Sequence, residues 1–256
     1  RDPPHFIQTK EYAMKITAIL FDLDGTLLPM DQDAFTKGYF SLLTAKLAPR
    51  GYDPGRLVEA IWTGTAAMVK NDGSRPNEAA FWETFAGLFG ERALEDKPLF
   101  EEFYANEFQQ ARQFCGFNPL AAQAVRQIKE WGFRTALATN PIFPAVATES
   151  RLRWVGLEPS EFEWYTTYEN ASFCKPNPSY YAELLDKLAL RPQECLMVGN
   201  DAAEDLAAQT LGVEVFLLTD CLINREGRDI SACPQGGFDR LLEFVDRRLR
   251  GGAAGE

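Results

Sequence analysis

Four apolar segments of this chain each run into polar residues at their C-terminal end: "ITAILFDLD" (16–24), "RTALATN" (134–140), "ECLMVGND" (194–201) and "VEVFLLTD" (213–220). Short, nearly continuous apolar runs of this kind read as strands buried on both faces. Helical patterns separate them. "NPLAAQAVRQIKEWG" opens on Asn118 as a cap, with Pro at the first helical position, and closes on Gly132. "PSYYAELLDKLAL" precedes the third segment, "AAEDLAAQTLG" follows it, and a further short strand is expected at "EWYTTYE" (163–169). The alternation predicts an α/β fold with a Rossmann-like, mostly parallel sheet and helices on both faces. Ligands of such sheets bind at the C-terminal ends of the strands. The polar residues at those ends therefore belong to one potential site.

Between the first two strands the alternation breaks. Residues 30–115 carry no convincing strand but four amphipathic stretches: "AFTKGYFSLLTAKLA", "RLVEAIWTGTAAMV", "NEAAFWETFAGLFG" and "PLFEEFYANEFQQARQF". Breaks fall at 49–51, at "NDGSRP" (71–76) and near Pro98. This reads as an α-helical cap inserted after the first strand, with the core built from 14–29 and 116–249. Aromatic residues at 81, 82, 85 and 89, and again at 100, 103, 104 and 108, recur at helical spacing and are expected to be core rather than a ligand cage. Residues 1–13 and 250–256 are set apart as an extension and a flexible terminus.

Composition removes several classes of function. The net charge is −11 and no basic cluster is visible, which argues against nucleic acid and against an anionic membrane surface. No apolar run reaches the roughly 18–20 residues of a membrane span, and no secretory segment is expected near the start. Five cysteines, with no CxxC pair, point to reduced thiols in a cytoplasmic protein. The one histidine, His5, lies in the extension, so zinc sites and Ser-His-Asp triads are not expected.

The first strand ends in "FDLDGT". Side chains one residue apart on a strand point the same way, so Asp22 and Asp24 are expected on one face, and Gly25 then lets the backbone turn. Two adjacent carboxylates attract a hard cation, and Mg²⁺ prefers oxygen ligands. One carboxylate can then act as a nucleophile while the other moves a proton. Thr139 and Asn140 offer a hydroxyl and backbone N–H groups to a phosphate. Lys175, in "KPNP", can neutralise a phosphoryl oxygen, and Asp201 and Asp205, in "VGNDAAED", can complete a metal site.

This ordered set, DxDGT, then Thr, Lys, and a Gly-Asn-Asp followed by a further Asp, resembles the haloacid-dehalogenase-like (HAD) hydrolase superfamily over roughly residues 15–220. The resemblance implies a mobile helical cap and Mg²⁺-dependent phosphoryl transfer through an aspartyl-phosphate, on a small phosphorylated metabolite. Carried over by position, Asp22 is the nucleophile and Asp24 the general acid/base. Asp22 and the Asp24 carbonyl bind Mg²⁺, Thr139 holds the phosphate and Lys175 steadies its charge. The family's Asp after the last glycine is replaced by Asn200, followed by Asp201. Either Asp201 is the ligand, the favoured assignment, or Asn200 binds weakly with Asp201 behind it, and Asp205 orients that ligand or Lys175. Dehalogenases of the family resemble it without the second Asp, so Asp24 disfavours that chemistry. A sugar phosphomutase and a non-catalytic binding protein are the competing readings. Lys70 and Arg75, beside "NDGSRP", are the nearest cationic candidates for specificity.

Overall fold

The computed structural model describes residues 15–247. The extension, His5 and the C-terminal tail named above lie outside the described residues. β1 (Ala18–Phe21) is buried at every position and lies inside a five-stranded sheet, one strand from its edge. Around it stand β2 (Arg134–Leu137), β3 (Cys195–Gly199), β4 (Glu214–Leu218) and β5 (Gln235–Gly236), in the order β2-β1-β3-β4-β5. Every pairing is parallel, with Phe21 opposite Leu137 on one side and Val198 on the other. The residues after β1 thus emerge where the connections diverge to either side, the place where parallel sheets bind ligands.

The period of two along the strands divides the core. Ile19 and Phe21 pack on one face with Val125, Ile128 and Leu152. These come from α6 (Pro119–Glu130) and α7 (Ala145–Val155), and Leu241 of α9 (Phe238–Val245) joins them. Ala18 and Leu20 pack on the other face with Tyr181, Leu184 and Leu185 of α8 (Pro178–Leu188). Two expected elements are smaller than the sequence suggests. At 163–169 a single bridge joins Tyr165 to Leu137; beyond it Asn170 turns the chain by accepting the Thr167 N–H at 2.9 Å. The helix expected over 202–212 is a 3₁₀ segment, Leu206–Leu211, because the preceding turn is consumed by the Asp205 carboxylate folding back onto the strand end.

The insertion after β1 is helical: α1 (Gln32–Leu47), α2 (Pro54–Val69), α3 (Asn77–Phe89), the single turn α4 (Arg92–Glu95) and α5 (Lys97–Ala105). Asp31 and Asp53 cap α1 and α2 by accepting N–H groups of Ala34 and Arg56. The last amphipathic stretch breaks at Asn106 and continues as 3₁₀ turns over Glu107–Phe114. The chain leaves and re-enters the core side by side, with Gly116 N–H donating to the Pro29 carbonyl at 2.7 Å. A second tie joins the N-terminus of α3 to the core loop that leads into α8. Asn77 and Glu78 N–H groups donate to the Ala171 and Tyr168 carbonyls at 2.9 and 2.7 Å, and the Asn77 side chain is fully buried beside the Pro141 and Phe173 carbonyls. No helix among the described residues is long and apolar enough to cross a membrane.

Candidate active site

Regular pairing of β1 ends at Phe21, and one more ladder bond, from Asp22 N–H to the Val198 carbonyl, carries the chain into the site. The loop that follows folds on itself, with Gly25 N–H donating to the Leu28 carbonyl and Leu28 N–H to the Leu23 carbonyl. Gly25 stands at φ +82, and a Cβ there would lie 2.3 Å from the Asn200 amide nitrogen. Only glycine meets both demands. Asp22 and Asp24 do line one cavity, but Asp24 arrives there from this loop rather than from strand alternation.

Asp22 is buried and held at both oxygens. Lys175 Nζ donates to Oδ1 at 3.0 Å, and the Thr26 hydroxyl lies 3.0 Å from Oδ2 and also 3.0 Å from Asn200 Oδ1, able to serve one at a time. Lys175, a residue whose type favours solvent, is fully buried and reaches Asp205 Oδ1 at 2.7 Å on its other side. Asp205 Oδ2 accepts the N–H groups of Asn200 and Asp201, each at 2.9 Å. Gly199 makes room for this carboxylate, since a Cβ there would stand 2.0 Å from it. Asp205, expected among the metal ligands, is therefore spent on Lys175 and the backbone and does not line the cavity. Burial pushes Asp22 up to about 7, opposed by Lys175 and reinforced by the Asp205 and Asp24 charges. Burial alone would depress Lys175, but Asp205 and Asp22 hold its ammonium well above the usual lysine range.

Thr139 and Asn140 follow β2 and both line the cavity. The Thr139 carbonyl is fixed by the hydroxyls of Thr166 and Tyr180 at 2.6 and 2.9 Å. Asn140 joins two motifs: its Oδ1 accepts the Lys175 N–H at 3.2 Å, and its Nδ2 donates to Glu204 at 3.0 Å. Asp201 and Asn200 both reach the cavity. Asp201 Oδ1 accepts the Ala203 and Glu204 N–H groups at 2.7 and 3.0 Å. The Asn200 Nδ2 donates to the Cys221 carbonyl at 2.8 Å, and its oxygen competes with Asp22 for the Thr26 hydroxyl.

Sequence reasoning missed Arg151. It comes from the middle of α7, is fully buried, and donates to Asp24 Oδ2. Its guanidinium also lies 4.5 Å from the centre of the Phe143 ring. Asp24 Oδ1 is buried with no hydrogen-bond partner. Nothing in "ESRLRWVG" marks Arg151, because its meaning depends on where α7 lies. Glu204, also unassigned, lines the cavity, and burial, opposed by Lys175 and reinforced by nearby Asp205, Asp22 and Asp201, pushes it up to about 8.

The cavity, about 230 Å³, lies between the sheet's C-terminal edge and the helical insertion. Aromatic residues expected as packing contribute to its wall, among them Trp82, Phe100 and Tyr104, whereas Phe85, Phe103 and Phe108 are fully buried. Lys70 and Arg75 do not line it, and Arg75 pairs with Glu83 at 2.7 Å on the surface.

A parallel sheet in the order β2-β1-β3-β4-β5, a helical insertion after β1, and an Asp-Lys-Asp chain beyond the strand ends define a HAD-type hydrolase. The family comparison agrees: the model for haloacid dehalogenase-like hydrolases matches residues 16–212, and the chain belongs to that family. Among curated relatives, phosphoglycolate phosphatase from Yersinia pestis is 28% identical over 207 residues, covering 80% of this chain and 81% of that one. Pyrophosphatase PpaX from Bacillus velezensis is 22% identical over 200 residues, covering 78% and 82%. In structure, a 2-haloacid dehalogenase from Pseudomonas syringae pv. tomato superposes with TM-score 0.60 at 20% identity, over 91% of this chain and 99% of that one. That last likeness speaks to the fold alone.

Proposed function

We propose that the protein is a phosphatase that hydrolyses a small phosphate monoester through an aspartyl-phosphate on Asp22. One observation carries the reading: Asp22 faces the cavity with its carboxylate fixed by Lys175 and Thr26, while Lys175 is itself fixed by Asp205. A carboxylate oriented this way is a positioned nucleophile. The phosphatase names of the curated relatives support the same class.

In the first step an Asp22 oxygen attacks phosphorus, the bond from phosphorus to the leaving oxygen breaks, and Asp24 gives that oxygen a proton. In the second, water attacks the phosphorus of the aspartyl-phosphate, Asp24 takes its proton, and Asp22 and inorganic phosphate are released. The unpartnered Asp24 Oδ1 is the atom for this proton, since Oδ2 is engaged by Arg151. Thr139 and Asn140, which line the cavity, receive the phosphoryl oxygens, and Lys175, bonded to Asp22 from behind, steadies the charge on that carboxylate.

Family members typically use Mg²⁺, and the donor set fits it. The Asp22 carboxylate, the Asp24 carbonyl and the Asp201 carboxylate are hard oxygen donors, with Asn200 beside them. Among the described residues no three acidic, cysteine or histidine side chains form a full cage. Mg²⁺ needs none, since it commonly binds through one or two carboxylates, water and substrate phosphate. Bound there, the ion supplies the positive charge that admits a dianionic phosphate beside three carboxylates.

Neither competing reading gains support. A phosphomutase must hold a second phosphoryl group against the cap, and among the described residues no lysine or arginine lines the cavity. A non-catalytic protein has no need of the buried Lys175 shared between two carboxylates, which is costly unless used. The test is chemical trapping. Protein incubated with Mg²⁺ and ³²P-acetyl phosphate, then quenched in acid, should carry label on Asp22. Asp22→Asn should lose both label and turnover, and a variant that keeps its turnover ends this reading.

A further inference from the structure

We propose that the alcohol released at this site is compact, uncharged and ring-bearing, so that the substrate is its phosphate monoester. The inference rests on the phosphatase reading above and narrows it. It starts from the distribution of charge around the cavity. Its four carboxylates, Asp22, Asp24, Asp201 and Glu204, all belong to core loops, and among the described residues no lysine, arginine or histidine lines it. Lys175 is spent on Asp22 and Asp205 below the floor. Arg151 is spent on Asp24, the Thr148 hydroxyl and the Phe143 ring, and Lys97, over the Trp82 ring, pairs with Glu78. A leaving group with its own negative charge would meet carboxylates on one side and rings on the other. Burying an anion without a partner is expensive.

The cap side is built for ring contact. Tyr39, Tyr104 and Phe143 pack together, with centroids 5.6–6.4 Å apart, and Trp82 meets Phe100 edge-on at 5.2 Å. The Tyr39 and Tyr104 hydroxyls bond each other at 2.8 Å, and Trp82 Nε1 donates to the Tyr168 hydroxyl at 3.3 Å. Ring surfaces, with the neutral side chains of Gln32, Thr36 and Thr65, are therefore what this side offers the ligand, and aromatic pairs of this geometry hold their shape. Trp62, half exposed, also lines the cavity and packs edge-on against Phe40 at 5.5 Å. Size sets the other bound. An apolar cavity of about 150 Å³ holds one benzene, so about 230 Å³ takes a phosphoryl group and one ring.

The experiment compares kcat/KM of the intact protein with Mg²⁺ on five compounds. Benzyl phosphate and cyclohexylmethyl phosphate carry a neutral ring. 2-Phosphoglycolate and pyrophosphate carry a second anion. Acetyl phosphate offers a phosphoryl group with almost nothing for the cap to bind. The ring esters should exceed the doubly anionic compounds by about tenfold or more, the scale of discrimination a hydrophobic pocket provides. Thr36→Arg, which puts a cation on the α1 side of the cavity, should shift the ratio of 2-phosphoglycolate to benzyl phosphate upward by about tenfold. Should acetyl phosphate be hydrolysed while the ring esters fall short of that margin, the substrate class is overturned and the phosphatase reading stands. Should folded protein turn over none of the five, both fall together.

Discussion

Replacing Lys175 by Met removes the one cation held between Asp22 and Asp205 while keeping an unbranched chain of similar length. In the native site the ammonium is 3.0 Å from one carboxylate and 2.7 Å from the other, with nothing of Lys175 exposed. Removing one partner of a buried ion pair costs about 3–5 kcal/mol, because a charge is left behind. For a protein of this size a kcal/mol is worth about 2–4 °C in Tm, so the variant should melt roughly 6–20 °C below the parent at pH 8 in EDTA. The penalty must shrink in acid. Asp22 titrates at about 7 in the folded protein against 3.8 for its ordinary value. A carboxylate raised in this way opposes folding above its folded pKa, and that opposition fades as pH falls toward its unfolded value. The opposition is therefore greatest above pH 7 and gone near pH 4. Without Lys175 the window extends upward, since the lysine is the influence that lowers Asp22. Lysine's own titration lies above both conditions and does not contribute. Calorimetry or circular dichroism at pH 8 and pH 5 should show the gap narrowing, and Lys175→Met with Asp205→Asn should recover part of the loss at pH 8. A Lys175→Met protein melting within about 2 °C of the parent at both pH values would refute the argument that this charge network is held by the lysine.

Gly25→Ala should lower both stability and turnover, because φ +82 penalises any side chain and the new Cβ would displace the Asn200 amide from 2.3 Å; the cost should exceed about 1 kcal/mol, read from a denaturant melt. Asp201→Ala should raise the Mg²⁺ concentration for half-maximal activity more than Asn200→Ala, since Asp201 carries charge and the Asn200 amide is held by the Cys221 carbonyl; the opposite order in a metal titration would place the ligand at Asn200. Arg151→Leu should leave Asp24 without its ion pair and so change the ratio of rates on alkyl and aryl esters; an unchanged ratio would remove Arg151 from the acid–base step. Cys174 should stay unreactive toward iodoacetamide at pH 8, since burial pushes its thiol up to about 12; rapid labelling of the folded protein would contradict that.

The parallel core was legible because buried strands and amphipathic helices leave different periodicities, and because strand ends in such folds collect function. Asp22, Asp24, Thr139, Asn140 and Asp205 fall at or just beyond those ends, Lys175 lies in the loop that leads into α8, and the structure brings these loops together. What the residues do to one another was less legible. A lysine flanked by proline reads as a surface group until Asp22 and Asp205 are seen to enclose it. Asp205 reads as a ligand until its carboxylate is found bonded to two N–H groups and the lysine. The helix expected at 202–212 failed for the same reason, as the side chain that should have opened a helix bends back to the strand. Arg151 left no trace at all, since an arginine in an amphipathic segment has the same local pattern whether it meets water or Asp24.

The aromatic residues of the insertion show where periodicity stops informing. Helical spacing says that a face is covered, and it is: Phe85 and Phe103 are completely buried. It does not say what covers a neighbouring ring. Trp82 and Phe100 pack on each other and also border the cavity, and the difference from Phe85 is a matter of how α3 is tied to the core. That tie is made by Asn77 and Glu78 bonding to the loop that carries Tyr168 and Ala171, and Tyr168 in turn receives the Trp82 N–H. The same contacts that fix the insertion over the sheet therefore fix which ring surfaces border the cavity. The shape of that wall is set by the docking of a helix whose sequence, read alone, describes only packing.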